Sequence, residues 1–193
     1  MPFLEAWPAF LRAAAASLDL FGLLGLGFGF NTGLMPRRHL ILLSSAACSL
    51  CFALHFLRLG SPTGMAMNLI GVLQCLLAVR FVEARGRPAW LDLVFAATFL
   101  LAVVLTVTTW NGLPSIFAGV ATLVSTTARL QSSPQTMRLL LIGSALGWAS
   151  HNVMVGSACG LTCDCLGLIG FTVAALREQG IGRQPAPPLS SPS

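Results

Sequence analysis

The sequence contains no lysine and no tyrosine, and only 9% of its 193 residues are charged. A soluble domain carries roughly 25% charge, so a water-facing globular surface is excluded. The ten-residue alternating segments of a transmembrane β-barrel are also missing; the apolar runs are about twice that length and unbroken. There is no secreted-style disulfide framework, because the cysteines at 48, 51, 75, 159, 163 and 165 all lie inside apolar runs. They read as small buried hydrophobes. Cys48-x-x-Cys51 sits mid-span, away from the helix N-terminus that activates redox pairs. Cys159, Cys163 and Cys165 do not share one helix face as a metal site would require. No nucleophile–base set, glycine-rich phosphate loop or His-Glu metal motif occurs, so neither an enzyme nor a bound metal or cofactor is expected. The formal charge of +5 comes from arginines scattered singly or in pairs between apolar runs. That is an orientation signal and not a nucleic-acid patch. A cleavable signal peptide is not expected either: the first charge is Glu5, the first basic residue is Arg12, and the following apolar run continues far into the chain.

What remains is a chain that is 55% hydrophobic, an all-α polytopic membrane protein whose partner is the lipid bilayer. A bilayer core needs about 20 apolar residues per helix. Breaks at Met-Pro-Arg-Arg (35–38), Gly-Ser-Pro (60–62), Arg-Gly-Arg-Pro (85–88), Asn-Gly-Leu-Pro (111–114) and Ser-Ser-Pro (132–134) separate seven expected transmembrane helices. They cover about 18–35, 39–58, 63–81, 89–109, 112–130, 137–155 and 159–177. Residues 3–16, with Trp7 and Phe10, suit an interfacial helix. The Pro/Ser-rich tail is expected to be disordered. The connections after spans one, three and five, with the C-terminal flank, hold Arg37, Arg38, Arg80, Arg85, Arg87, Arg129, Arg138, Arg177 and Arg183; the other side holds only Arg12 and Arg58. This bias predicts an outside N-terminus and a cytoplasmic C-terminus.

One hairpin is written twice. Ala53, His55, Gly60, Ser61, Gly64 and Gly71 recur, without a gap, as Ala149, His151, Gly156, Ser157, Gly160 and Gly167, an offset of 96 residues. Asn68 falls opposite Asp164 in this register. Two three-helix repeats run parallel only if one further span separates them, and the span beginning near Trp90 supplies it. The expected organisation is therefore 3+1+3: an N-terminal segment 1–17, a first repeat 18–81, a loop and linker helix 82–111, a second repeat 112–178 and a tail 179–193. Parallel repeats of this kind bind solutes between the copies.

The stretch from His55 to Arg80 (HFLRLGSPTGMAMNLIGVLQCLLAVR) carries a His, a Leu-Gly, a Thr-Gly, an Asn and an Ile-Gly in spacing that resembles the YgjV-type bacterial inner-membrane proteins. The resemblance extends over about residues 18–178. It implies a bacterial inner-membrane location and an architecture similar to the SWEET and PQ-loop transporters. In SWEET proteins, asparagines on the third helix of each repeat line the sugar pocket, and Asn68 matches that location. Asp164 takes the place of the second asparagine. The Pro-Gln pair that bends the first helix of PQ-loop repeats is displaced here: Pro134-Gln135 follows span five, and the first copy has Met35-Pro36. Helix bending would rest on Gly22, Gly25, Gly27 and Gly29.

Polar groups inside a bilayer are costly and point to function. His151 lies six residues before Ser157 and Asp164 seven after it, so both sit about 10 Å below the turn. His55 and Asn68 occupy the same places around Ser61. The functional reading is a ring of four side chains in the outer third of the membrane. Asn68 and Asp164 would line a solute site, and Asp164 with His151 would form a titrating pair able to carry a proton. The structural reading is that His and Asn join helices, at about 1 kcal/mol each; a buried carboxylate is an expensive way to do only that. Asn31 and its counterpart Thr127 are candidates for an inner vestibule, and Trp148, one turn before His151, for stacking on a planar or sugar-like solute. Glycines 25, 29 and 33 allow close helix approach.

The expected function is transport of a small polar solute through a pseudo-twofold site, with proton coupling through Asp164 and His151. The alternative is a non-transporting scaffold or interaction protein with the same fold. The sequence leaves room for a homo-oligomer.

Overall fold

The computed structural model describes residues 15, 17–82 and 88–182. Residues 3–14, Arg12, Arg85, Arg87, Arg183 and the tail beyond it lie outside the described residues. Within them are seven α-helices and no strand. They are α1 (Leu20–Leu34), α2 (Arg38–Arg58), α3 (Pro62–Phe81), α4 (Ala89–Thr108), α5 (Leu113–Arg129), α6 (Pro134–Val155) and α7 (Ala158–Gly182). The expected spans agree to within a few residues. The largest difference is at the end of α7, which continues to Gly182.

Local chemistry sets the ends. The Asp19 carboxylate caps α1 by accepting the Gly22 amide at 2.7 Å. Pro62, Pro114 and Pro134 open their helices in the first turn, where a missing N–H costs nothing. The α2–α3 and α6–α7 turns repeat one geometry. Gly60 (φ 67°) and Gly156 (φ 71°) both take the left-handed conformation. The next residue in each returns its N–H five residues back, Ser61 to Phe56 O and Ser157 to Asn152 O, both at 2.9 Å. This is a Schellman close, which only glycine adopts without strain.

Each helix packs on its neighbours in a closed ring: α1 on α2, α2 on α3, α3 on α5, α5 on α6, α6 on α7 and α7 back on α1. The fourth helix leans on α3 and α5 from outside the ring. The surface is apolar, with Leu93 72%, Val107 68%, Leu20 65% and Leu100 64% exposed. Meanwhile His55, His151, Gln74, Ser115, Ser157 and Thr122 are fully buried or nearly so. Apolar outside and polar inside is the arrangement that lipid demands.

Four helices, α2, α3, α4 and α7 up to Glu178, are long and apolar enough to cross a bilayer by length and composition. The first helix is apolar but has 15 residues. Hydropathy falls in α5 and α6 because they supply buried polar groups to the interior: Ser115, Thr122, Ser125, Thr126 and Arg129 from α5, and Arg138, Ser144, His151 and Asn152 from α6. The fold is that of an all-α polytopic membrane protein.

Two arginines close the end of the ring opposite the glycine turns. Arg38, at the start of α2, donates to Ala78 O and Val82 O at the end of α3 (3.2 and 2.8 Å) and to Arg129 O and Gln131 O at the end of α5 (both 2.8 Å). Arg138, in the first turns of α6, bonds Glu178 of α7 at 2.8 Å and the Met35 and Pro36 carbonyls after α1 at 3.4 Å. Each guanidinium meets carbonyls at or just past helix C-termini, at the negative end of the helix dipole.

Candidate functional site

Immediately below the glycine turns, two histidines bridge the ring. The Nε2 of His55 meets Ser157 Oγ at 2.9 Å, and Nε2 of His151 meets Ser61 Oγ at 3.4 Å. Each imidazole therefore reaches a serine 96 residues away from the one in its own hairpin. Nδ1 of His151 faces the Pro114 carbonyl at 2.9 Å. A carbonyl only accepts, so Nδ1 carries the proton and Nε2 of a neutral ring accepts from the serine hydroxyl. His55 has the same pattern with the Asp19 carboxylate, 3.1 Å from its Nδ1. Next comes an aromatic layer. Phe56 stacks on Trp148 (centroids 6.0 Å, interplanar angle 13°) and meets His151 edge-on at 5.2 Å.

Beneath the aromatics lies a cavity of about 130 Å³. At ~30 Å³ per water, it offers room for about four waters, or a solute of roughly six non-hydrogen atoms. Both copies build it. Gly29 and Ser125, Ser45 and Leu141, Cys48 and Ser144, Ser49 and Ala145, Phe52 and Trp148, Phe56 and Asn152, and Asn68 and Asp164 all line it, each pair 96 residues apart. Arg129 also lines it.

Residues 17–180 match the family model Imp-YgjV, described as a bacterial inner membrane protein. The chain belongs to this family. No curated protein and no solved structure matches it. In this Imp-YgjV chain, three of the sequence candidates, Asn68, Asp164 and Trp148, face one cavity. The expected ring of four at one level divides into two layers, since His55 and His151 are fully buried above the aromatics and do not line it.

The Asp164–His151 pair is also rearranged. The carboxylate Oδ2 of Asp164 accepts from Asn152 Nδ2 at 2.7 Å, while His151 turns to Ser61 and Pro114. Adjacent residues on a helix point about 100° apart, so Asn152 faces α7 and the cavity where His151 faces α5. Asn31 is exposed on the outer surface of α1, and Thr127 is likewise exposed. Thr32, the neighbour of Asn31, turns inward and lines the cavity.

Sequence reasoning missed Asn152 and Arg129. The first stood opposite Phe56 in the repeat, a polar-for-aromatic exchange that was the available signal. The second was read as an orientation charge at the end of span five. It is instead 7% exposed and turned into the bundle. Its Nη1 donates to Gln74 Oε1 at 2.7 Å and Ser125 Oγ at 3.1 Å, and its Nε to Cys75 Sγ at 3.2 Å. The offset places Arg129 opposite Gly33 and Gln74 opposite Gly170. Gly33 packs so closely on Gly170 that a Cβ on either would lie 3.0–3.3 Å from the other's Cα. One interface between the copies is thus held by a charged hydrogen bond, and its twin by glycine contact.

Proposed function

We propose that this inner-membrane protein is a carrier for a small polar solute, held in the axial cavity between its two three-helix repeats, 18–81 and 112–178. The observation that supports this most is the cavity itself: residues 96 apart converge on one space, and polar groups from both copies line it. A scaffold would fill its axis with Leu, Phe and Met. The SWEET-like architecture implied by the sequence fits the same reading. Asp164 is the carboxylate among the described lining residues, so we assign it the proton of a coupled cycle, with Asn152 and not His151 orienting it. The His–Ser bridges and the Phe56–Trp148 stack form the outer barrier between cavity and surface, and Arg38 and Arg138 the inner one. The arginine bias orients the chain with its N-terminus outside and its C-terminus in the cytoplasm.

Reconstitution into liposomes, with an uptake screen over sugars, amino acids and nucleosides with and without a pH gradient, tests the proposal. Uptake of one solute class above empty liposomes is expected, and Asp164→Asn is expected to remove its dependence on the gradient while exchange continues. No uptake in either condition refutes the carrier reading. Gradient dependence that persists in Asp164→Asn refutes the proton assignment.

A further inference from the structure

Arg129 is a guanidinium and Asp164 a carboxyl group; they line the same cavity and do not pair with each other. Arg129 bonds only neutral groups, Gln74, Cys75 and Ser125, and its Nη2 takes no partner among the described residues. That nitrogen lies 3.2 Å from where a Cβ of Gly71 would stand, so a glycine there keeps space beside the guanidinium. Asp164 is bonded by a neutral amide, Asn152, whose own Oδ1 is buried without a partner. Isolated charges within a bilayer are costly, and the usual economy is to pair them. Here the fold holds them apart with a cavity between.

Their separation follows from the repeat. Asp164 stands at the level of Asn68, and the Arg129 head group reaches the level of Gly71, three residues further along α3. That is a rise of about 4.5 Å, to which the width of the cavity is added. A molecule bridging them must present an anion to the guanidinium and a cation to the carboxylate.

Building on the carrier reading, we infer that the solute is a zwitterion of amino-acid type, its carboxylate held by Arg129 and its ammonium by Asp164. With Nε and Nη1 of Arg129 committed, the two N–H groups of Nη2 are the donors it offers to a carboxylate. Asn68, whose Nδ2 is committed to Gly64 O at 2.9 Å, leaves its Oδ1 as a second acceptor for ammonium hydrogens. Trp148 and Phe56 cover the apolar part of the solute.

The test is proteoliposome uptake of radiolabelled serine, proline and glutamine, competed by the amide and the deaminated acid of each, with glucose and glycerol as neutral probes. At least one amino acid is expected to be taken up, and both of its analogues to compete at least tenfold more weakly. In Asp164→Asn the gap between that amino acid and its deaminated acid should close; in Arg129→Gln the gap between it and its amide should close. If Arg129→Gln does not elute as a monodisperse species, Arg129→Lys and the analogue series on the wild-type protein decide the question. Uptake of glucose or glycerol with no amino acid taken up overturns the zwitterion and leaves the carrier. Equal competition by the amide and the parent amino acid overturns the role of Arg129. Uptake of none of these probes, while the wider solute screen succeeds, also overturns the zwitterion; failure of both screens removes the carrier as well.

Discussion

Ser61 and Ser157 are equivalent by repeat, yet their removal should cost different amounts. The Ser157 hydroxyl has two partners: it accepts the Gly160 amide at 3.0 Å, capping α7, and donates to His55 Nε2 at 2.9 Å. Ser61 makes no cap bond in α3 and meets His151 at a longer 3.4 Å. Losing an N-cap costs about 1 kcal/mol, and an interhelical side-chain bond within a bilayer about 0.6, with an upper range near 1.7. Ser157→Ala should therefore destabilise by about 2 kcal/mol and Ser61→Ala by about 0.6 or less. The measurement is reversible unfolding in mixed micelles, titrating dodecyl sulfate and following helical circular dichroism. Ser157→Thr, which keeps the hydroxyl, should recover most of the loss. Equal costs for the two alanine variants, or a larger one for Ser61→Ala, would refute the assignment of two partners to one serine and one to the other.

The same titration checks two further expectations. Gly29→Ala should destabilise by about 1–3 kcal/mol, because its Cβ would run into Cys163 Sγ, whereas Gly27→Ala, with nothing within 4 Å, should be neutral or mildly stabilising. Arg38→Gln should cost about 2–3 kcal/mol by uncapping α3 and α5, and Arg37→Gln, on an exposed residue, within about 0.5. Orientation is read by labelling in a cysteine-free background. Arg58→Cys should react with an impermeant maleimide in intact cells and Ser132→Cys only after lysis, both side chains being exposed; the reverse pattern would invert the proposed topology.

Helix number and limits were legible because their signals are local. Apolar runs, prolines in the first turn of a helix and glycines just past its end all act within a turn or two of chain. Which polar residue faces the axis was not local. His151 and Asn152 are neighbours in sequence, and their roles separate only through the rotation of α6 against α5 and α7. Arg129 misled for a related reason. A charge at a helix end snorkels to the interface by default, and nothing short of Gln74 and Ser125, fixed by α3 and α5 packing, reveals that it turns inward. Thr32 and Asn31 present the same ambiguity at the other end of the repeat. Composition fixed both residues near one membrane face, while helix rotation alone decided that Thr32 lines the cavity and Asn31 the outer surface.

The repeat divides the molecule by what it keeps and what it changes. At the end that carries the glycine turns the copies share His55 and His151, Gly60 and Gly156, Ser61 and Ser157, Gly64 and Gly160. These residues make the turns and the reciprocal bridges, so each copy needs them to build the same corner. Around the cavity, all seven lining pairs differ. A cavity lined by identical halves would offer a solute two equivalent poses related by the axis. Exchanging Asn68 for Asp164 and Gly33 for Arg129 removes that degeneracy, because a charged group then sits on one side only at each level. On the carrier reading, the fold is symmetric where it closes and asymmetric where the solute takes its orientation. In that sense Asp164→Asn is more than a charge deletion. It restores identity at the Asn68 level, and the expected consequence is a site that still holds a carboxylate at Arg129 but no longer distinguishes an ammonium from a neutral group at the opposite end.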